Sequence, residues 1–306
     1  MDNWRVLDFT SFTGELGYRR GQLIVRPDDG EEKTVPLADV GTLLLGLRTS
    51  LAPAVLHQLA AFDVITLICD WNGVPSAAMT AWSDHGRVGA RHKAQFEMSV
   101  PRRKNAWGQI IKAKVTGQAM NLKVLGHPDW EHLADMAKRV HSGDPENVEG
   151  TAARYYWRRL FDNQFARKPR EGDNRNSMLD YGYAVLRGYG VRAVMSAGLA
   201  ASIGVFHRGR GNAFNLVDDM IEPFRPAIDY AVVTTPAHMS ISHPAVKHRL
   251  VAASSQTFRA DGASVAACLT DLAQRFGIYA EGGLERLSVP SWPGPSDNVP
   301  DGEYAS

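Results

Sequence analysis

The chain has 306 residues, 44% of them hydrophobic and 22% charged, and its formal net charge is only +1. This balance fits an ordinary globular protein of about two domains and excludes a whole-molecule polycation. No window approaches the roughly 18 uncharged apolar residues of a membrane span. The start, Met1-Asp2-Asn3-Trp4-Arg5, lacks the apolar core of a signal peptide, so a cytoplasmic protein with no membrane partner is expected.

The first part reads as strands and turns. Arg5 to Phe9, Gly14 to Tyr18, Gln22 to Arg26, Lys33 to Pro36 and Val40 to Leu45 are short apolar or alternating runs. Asp28-Asp29-Gly30 is a turn signal between two of them. A helix fits Pro53 to Phe62, with Ser50 near its start and proline in its first turn. Val64 to Cys69 returns to strand. Cys69 and Cys268 are far apart and imply neither a disulfide framework nor a zinc site.

The pattern becomes helical near Gly86. Candidate helices are Arg87–Glu97, Lys104–Val124, Asp129–Val140, Pro145–Phe165, Ser177–Leu199, Asn215–Asp229, Ala245–Ala253 and Ser264–Phe276. Asp144-Pro145-Glu146 offers a capping acid, a proline for the first turn and an acid at the positive dipole end. The expected fold class is α+β: a small β-rich domain over residues 1–85, then a larger all-α domain over 86–288. Residues 289–306, rich in Pro, Gly, Ser and Asp, read as a disordered tail. This architecture alone names no function.

Charge is segregated. Arg102, Arg103, Lys104, Lys112, Lys114 and Lys123 form an acid-free stretch, with Arg87, Arg91 and Lys93 just before it. Such segregation suits a polyanionic partner, and equally a solvated helix face. Aromatic and basic residues interleave at Tyr155-Tyr156-Trp157-Arg158-Arg159 and Arg167-Lys168-Pro169-Arg170, with Tyr181 and Tyr183 on the next helix. Basic side chains neutralise phosphates and aromatic faces stack on bases, although core packing explains some of these rings as well. Arg87, Arg91, Lys114, Arg158, Tyr181 and Arg225 are the candidate contacts for such a polyanion.

Three segments could carry chemistry. Glu149 shares a helix face with Ala152, Ala153 and Tyr156, so its carboxylate needs a cation: a metal, Arg154 or another neighbour. His207 lies in the glycine-punctuated loop Gly204-Val205-Phe206-His207-Arg208-Gly209-Arg210-Gly211, as a metal ligand, a general base or a plain surface histidine. In Asp218-Asp219-Met220-Ile221-Glu222-Pro223-Phe224-Arg225-Pro226, Asp219 and Glu222 lie one helical turn apart. They either share a hard cation such as Mg²⁺ or Mn²⁺ or form an acidic turn paired with Arg225. Pro223 strains any continuous helix there. Two carboxylates and one imidazole together suit a metal that neutralises charge on a phosphodiester.

These residues resemble the CRISPR-associated endonuclease and integrase of spacer acquisition, the Cas1 family. The resemblance lies in Glu149-Gly150-Thr151-Ala152-Ala153-Arg154-Tyr155-Tyr156, in Leu179 to Arg187, in Gly198 to His207, and in Asn212 to Pro226. Cys69-Asp70 with Pro75, then Gly86-Arg87, Arg91, Gln95, Trp107, Ile110, Lys114 and Gln118, extend it over most of residues 1 to about 280. The overall form is closest to members from systems with a single large effector nuclease. Asp180 departs from the asparagine common in the family and adds an acid near the site.

The resemblance implies a β-rich domain that builds a homodimer and contacts the small companion protein Cas2. It implies a helical domain that binds double-stranded DNA, both the incoming fragment and the repeat. Glu149, His207 and Glu222 would be catalytic metal ligands for Mg²⁺ or Mn²⁺, with Asp219 an auxiliary acid behind them. The reaction would be transesterification of a 3′-hydroxyl onto a repeat phosphodiester. No serine or cysteine nucleophile constellation is evident. Two alternatives stand beside it: a DNA-binding scaffold whose acids are structural, and a metal phosphoesterase acting on nucleotides.

Overall fold

The computed structural model describes residues 5–71, 73–79, 81, 85–169, 173–254 and 256–295. Its N-terminal part carries two sheets. The first has strand order β1 (Arg5–Phe9), β5 (Val40–Leu45), β7 (Ile65–Cys69), β8 (Pro75–Met79), parallel except for β8. The second runs β4 (Lys33–Pro36), β3 (Gln22–Pro27), β2 (Gly14–Arg19), β6 (Thr49–Leu51). Helix α1 (Pro53–Ala61) adds Val55 and Leu59 to the core that the second sheet shares with the first.

The burial of β5 shows how the two parts join. All six of its residues are buried. Side chains alternate across a sheet, so Leu43 and Leu45 enter the β-domain core while Leu44 enters the helical core. On β7, Ile65, Leu67 and Cys69 also face the helices. A parallel strand covered on both faces reads as a continuous apolar run, which Val40 to Leu45 is. Helix α6 (Asn174–Ser196) lies against this sheet, where Thr42 Oγ1 donates to Tyr189 Oη at 2.7 Å. Gly188 of α6 sits so close to Leu67 that any Cβ would collide with it.

The remaining helices are α2 (Val88–Glu97), α3 (Val100–Val124), α4 (Trp130–Lys138), α5 (Val148–Leu160), α7 (Asn215–Ile221), α8 (Arg225–Val233), α9 (Pro244–Ala253) and α10 (Val265–Ala280). Two expected boundaries move for identifiable reasons. The helix expected from Pro145 begins only at Val148, because Asp144 and Asn147 take left-handed backbone angles, φ 48° and 50°. Asp144 still caps it, accepting the N–H groups of Val148 and Glu149 at 2.9 Å each. The single helix expected from Asn215 to Asp229 is three pieces: α7, a 3-10 turn at Glu222–Phe224 and α8. Pro223 and Pro226 lack the N–H that a continuous helix needs.

The tail expected to be disordered from residue 289 is ordered through residue 295. Trp292 is buried, and its Nε1 donates to Asn121 Oδ1 at 2.7 Å. One buried indole outweighs the Pro/Gly/Ser composition around it. Residues 296–306 lie outside the described residues. Strands β6 and β8 were not anticipated; β8 is Pro-Ser-Ala-Ala-Met, with no alternation to read. Cys69 and Cys268 are free and buried. Among the described residues no helix is long and apolar enough to cross a membrane.

Candidate functional site

Two acids from separate elements meet on one cation, and the cation is a lysine. Lys114 Nζ, from the middle of α3, lies 2.7 Å from Glu149 Oε1 and 2.7 Å from Glu222 Oε2. Glu149 occupies the first turn of α5, where the helix dipole favours an anion. Glu222 starts the 3-10 turn, so the break at Pro223 swings its carboxylate inward; the residue is 3% exposed. Its other oxygen lies 3.1 Å from Arg225 Nη2.

The charges hold one another ionised. Burial acts to raise the Glu222 carboxyl, but Arg225 and Lys114 outweigh it and hold the group below the ordinary carboxylate range. Burial likewise presses Lys114 toward neutrality, and Glu222 and Glu149 reverse that, leaving its pKa above the ordinary lysine value. Ionised groups with this little water must be closely paired to be tolerated.

His207 forms the other wall, on the loop between α6 and α7. Asp219, fully buried on α7, accepts backbone N–H bonds from Val205 at 2.6 Å, Phe206 at 3.0 Å and His207 at 3.2 Å. The same carboxylate meets His207 Nδ1 at 2.6 Å. Gly204 makes this wrap possible, since a Cβ there would strike His207 O, Asp219 and Asn215. Asn215 ties the loop further, donating to the carbonyls of Ser202, Gly209 and Asn212. A carboxylate can only accept, so Nδ1 carries the proton, and in the neutral ring Nε2 is the lone-pair nitrogen. The Asp219 hydrogen bond raises the imidazole pKa above its ordinary value, against the pull of burial. Phe206 stacks on buried Trp107 with ring centroids 4.3 Å apart, and the His207 ring stands edge-on to Trp107.

Beside His207 opens a cleft of about 400 Å³, lined in part by Arg103, Arg208, Arg210, Asn212 and Asn215. Three arginines with no acid among the lining residues favour an anionic occupant.

The sequence candidates divide clearly. Glu149 and Glu222 are brought together, and His207 is near enough for its charge to act on Glu222. The three do not form one coordination sphere as they stand: among the described residues no three His, Cys, Asp or Glu side chains are placed to hold one ion. The role of counter-charge falls to Lys114. The donor chemistry nevertheless suits a hard divalent cation, with two carboxylates and, close enough to act on Glu222, an oriented imidazole. Glu222 Oε2 is buried with no well-directed hydrogen bond, only the lysine charge beside it.

Several expected DNA contacts need correction. Lys114 is committed to the acids. Arg91 is 4% exposed and spends its guanidinium on Ala197 O, Gln274 and Glu281. Tyr181 is fully buried. Arg225 pairs with Glu222, and Arg87, though exposed, pairs with Glu281. Arg158 is exposed near the end of α5. Asp180, the departure from the family pattern, pairs with Arg167 at 2.5 Å. Glu222 thus pairs with Arg225, one of the two alternatives the sequence offers, though buried and not on a surface turn, and Glu149 pairs with Lys114 and not with Arg154. The heptad Trp107, Lys114, Asn121 was the missed signal: a lysine in register with a buried tryptophan and asparagine does not face solvent.

Residues 9–249 match the family model described as CRISPR associated protein Cas1. The CRISPR-associated endonuclease Cas1 of Neisseria meningitidis serogroup C (strain 8013) is 34% identical over 222 residues, covering 72% of each chain. A Cas1 endonuclease of Pyrobaculum aerophilum is 29% identical over 236 residues, 71% of this chain and 78% of its own. Among solved structures, a casposase bound to integration product superposes with a TM-score of 0.73 at 20% identity, covering 96% of this chain and 94% of its own. A Cas1 protein from Thermotoga maritima gives 0.72 at 14% identity, covering 92% and 99%. A Cas6-RT-Cas1–Cas2 complex gives 0.70 at 18% identity, covering 97% and 37%.

Proposed function

The chain belongs to the Cas1 family of CRISPR-associated proteins, and from that premise we propose that it is a metal-dependent DNA endonuclease and integrase that inserts spacer DNA into a CRISPR array. The observation that carries the reading is the convergence of Glu149 and Glu222 on one positive charge, beside an oriented histidine and an arginine-lined cleft. Mg²⁺ or Mn²⁺ would be held by the Glu149 and Glu222 carboxylates and by His207 Nε2. Once bound, such an ion neutralises charge developing on a phosphodiester.

The protein's own groups do the rest. Arg103, Arg208 and Arg210 bind phosphates along the cleft, which suits a polyanion longer than a mononucleotide. Asp219 fixes the His207 tautomer and ring orientation. The 3′-hydroxyl of the incoming fragment displaces a 3′-oxygen of the repeat backbone, one phosphodiester bond forming as another breaks. A companion of the Cas2 type is supported by the likeness to the Cas6-RT-Cas1–Cas2 complex, and double-stranded DNA by the likeness to the product-bound casposase. The β-rich domain is the proposed seat of homodimerisation and of the companion's contact.

The test is strand transfer with a DNA fragment, repeat DNA and Mn²⁺. Glu149→Ala, Glu222→Ala and His207→Ala each lower it on the order of 10²- to 10³-fold; full activity in all three would refute the assignment. One observation favours a second reading: Lys114 already satisfies both acids, as it would in a non-catalytic DNA-binding scaffold. That reading predicts DNA binding that is salt-sensitive but indifferent to EDTA, and no strand transfer.

A further inference from the structure

One helical heptad beyond the acid–lysine cluster lies a second buried polar group that the proposed chemistry does not use. Asp229, on α8, is 1% exposed. Tyr183 Oη of α6 donates to its Oδ1 at 2.5 Å, and Tyr156 Oη of α5 donates to its Oδ2 at 3.1 Å. Asn121 of α3 donates to Tyr156 Oη at 2.8 Å and to Pro226 O at 2.7 Å. Four helices thus each contribute a polar group to one knot.

Each strand of this knot leads to a residue of the site. Tyr156 follows Glu149 by seven residues on α5, and Asn121 follows Lys114 by seven on α3, so each pair shares a helix face. The Tyr183 ring carries the Arg225 guanidinium 4.8 Å from its centroid, and Arg225 holds Glu222. An apolar side chain would fill this position without the desolvation that a carboxylate incurs. What an apolar residue could not do is receive two hydroxyls from two helices at once.

We propose that Asp229 is a positioning residue, which sets the spacing of Glu149 and Glu222 by anchoring Tyr156 and, through Tyr183, the arginine that holds Glu222. It touches neither substrate nor cation. The inference rests on the metal-dependent reading above, because spacing matters only if the acids must share an ion.

The test measures Mn²⁺ binding by electron paramagnetic resonance on the full chain, with thermal unfolding in parallel. Wild type, Glu149→Ala, Asp229→Asn, Tyr156→Phe and Tyr183→Phe are compared. Asparagine keeps the shape but presents a donor to one of two donating hydroxyls, so Asp229→Asn weakens Mn²⁺ binding by roughly 10- to 100-fold, the range seen when groups behind metal ligands are removed. The tyrosine variants, each losing one hydroxyl, weaken it by a smaller factor. The loss in Asp229→Asn combined with Tyr183→Phe is less than the product of the two single losses. Unchanged Mn²⁺ affinity in a folded Asp229→Asn, whatever its melting temperature, overturns the inference alone. If Asp229→Asn fails to fold, unchanged affinity in both tyrosine variants does the same. A wild-type chain that binds no Mn²⁺, or binding untouched by Glu149→Ala, refutes the functional reading and the inference with it.

Discussion

The two walls of the site solve the problem of a buried acid in different ways. On the helical wall, Glu149 and Glu222 are neutralised by cations of the protein itself, Lys114 and Arg225, within a rigid packing of α3, α5 and α8. On the loop wall, Asp219 has no lysine or arginine partner among the described contacts; backbone N–H groups and the His207 imidazole satisfy it. The first wall is a set of compensated charges, stable and closed. The second is an oriented donor set on an open cleft, with the His207 side chain 41% exposed. The difference suggests a division of labour: the helices store the acids, and the loop presents the histidine and two of the arginines that line the cleft, Arg208 and Arg210.

The largest expected effect breaks the first wall. Lys114→Met leaves two carboxylates without their shared counter-charge, and removing one partner of a buried pair costs about 3–5 kcal/mol. Thermal unfolding measures the loss, and Mn²⁺ recovers more stability in this variant than in wild type because the ion replaces the missing charge. Glu149→Ala or Glu222→Ala lowers strand transfer on the order of 10²- to 10³-fold, the scale of losing one preorganised electrostatic group. Glu149, the more exposed of the two acids, is the milder loss to stability, and circular dichroism with thermal unfolding separates lost strand transfer from lost fold in each variant.

Smaller effects sharpen the second wall and the region behind the first. Asp219→Asn frees the His207 ring and cuts activity or metal affinity roughly 10- to 100-fold, while the Lys114 cluster stays intact. Asp229 gives a pH signature. Burial raises its carboxyl to about 7, against the lowering pull of Tyr183, Tyr156, Arg225 and Lys114. Its folded-state pKa exceeds its unfolded value, so the folded state binds more protons between about 4 and 7. Its contribution to stability is therefore full below about pH 4 and is lost as pH rises toward 7. Asp229→Asn flattens that slope in denaturant midpoints measured from pH 4.5 to 7.5. Least of all, Arg158→Ala leaves stability within about 0.5 kcal/mol. If Arg158 meets a phosphate, the variant lowers the salt slope of DNA binding by about one.

The sequence made one wall more legible than the other. The residues of the histidine loop and its acid, Gly204, His207 and Asp219, are close in the chain, and their glycine and charge pattern marks a loop presenting a side chain. The helical wall is assembled from residues 114, 149 and 222, whose proximity follows only from tertiary packing. Lys114 was misread because six cations in an acid-free run look like a surface stripe, and charge counting says nothing about which face a helix buries. The heptad with Trp107 and Asn121 contained that information. Element types survived well where periodicity was long, as in α3 and α6. They failed where local chemistry ruled: the left-handed Asp144 and Asn147 delayed α5, two prolines split the segment after Asn215, and one tryptophan at 292 ordered a stretch whose composition argues for disorder.

The measurement that bears most directly on the site is anomalous diffraction from crystals of the full chain soaked in Mn²⁺. One peak is expected within coordinating distance of Glu149 and Glu222, with His207 Nε2 turned to it and the Lys114 ammonium displaced from between the acids. Lys114 still bridging the two carboxylates, with no manganese beside them at saturating concentration, would contradict this expectation.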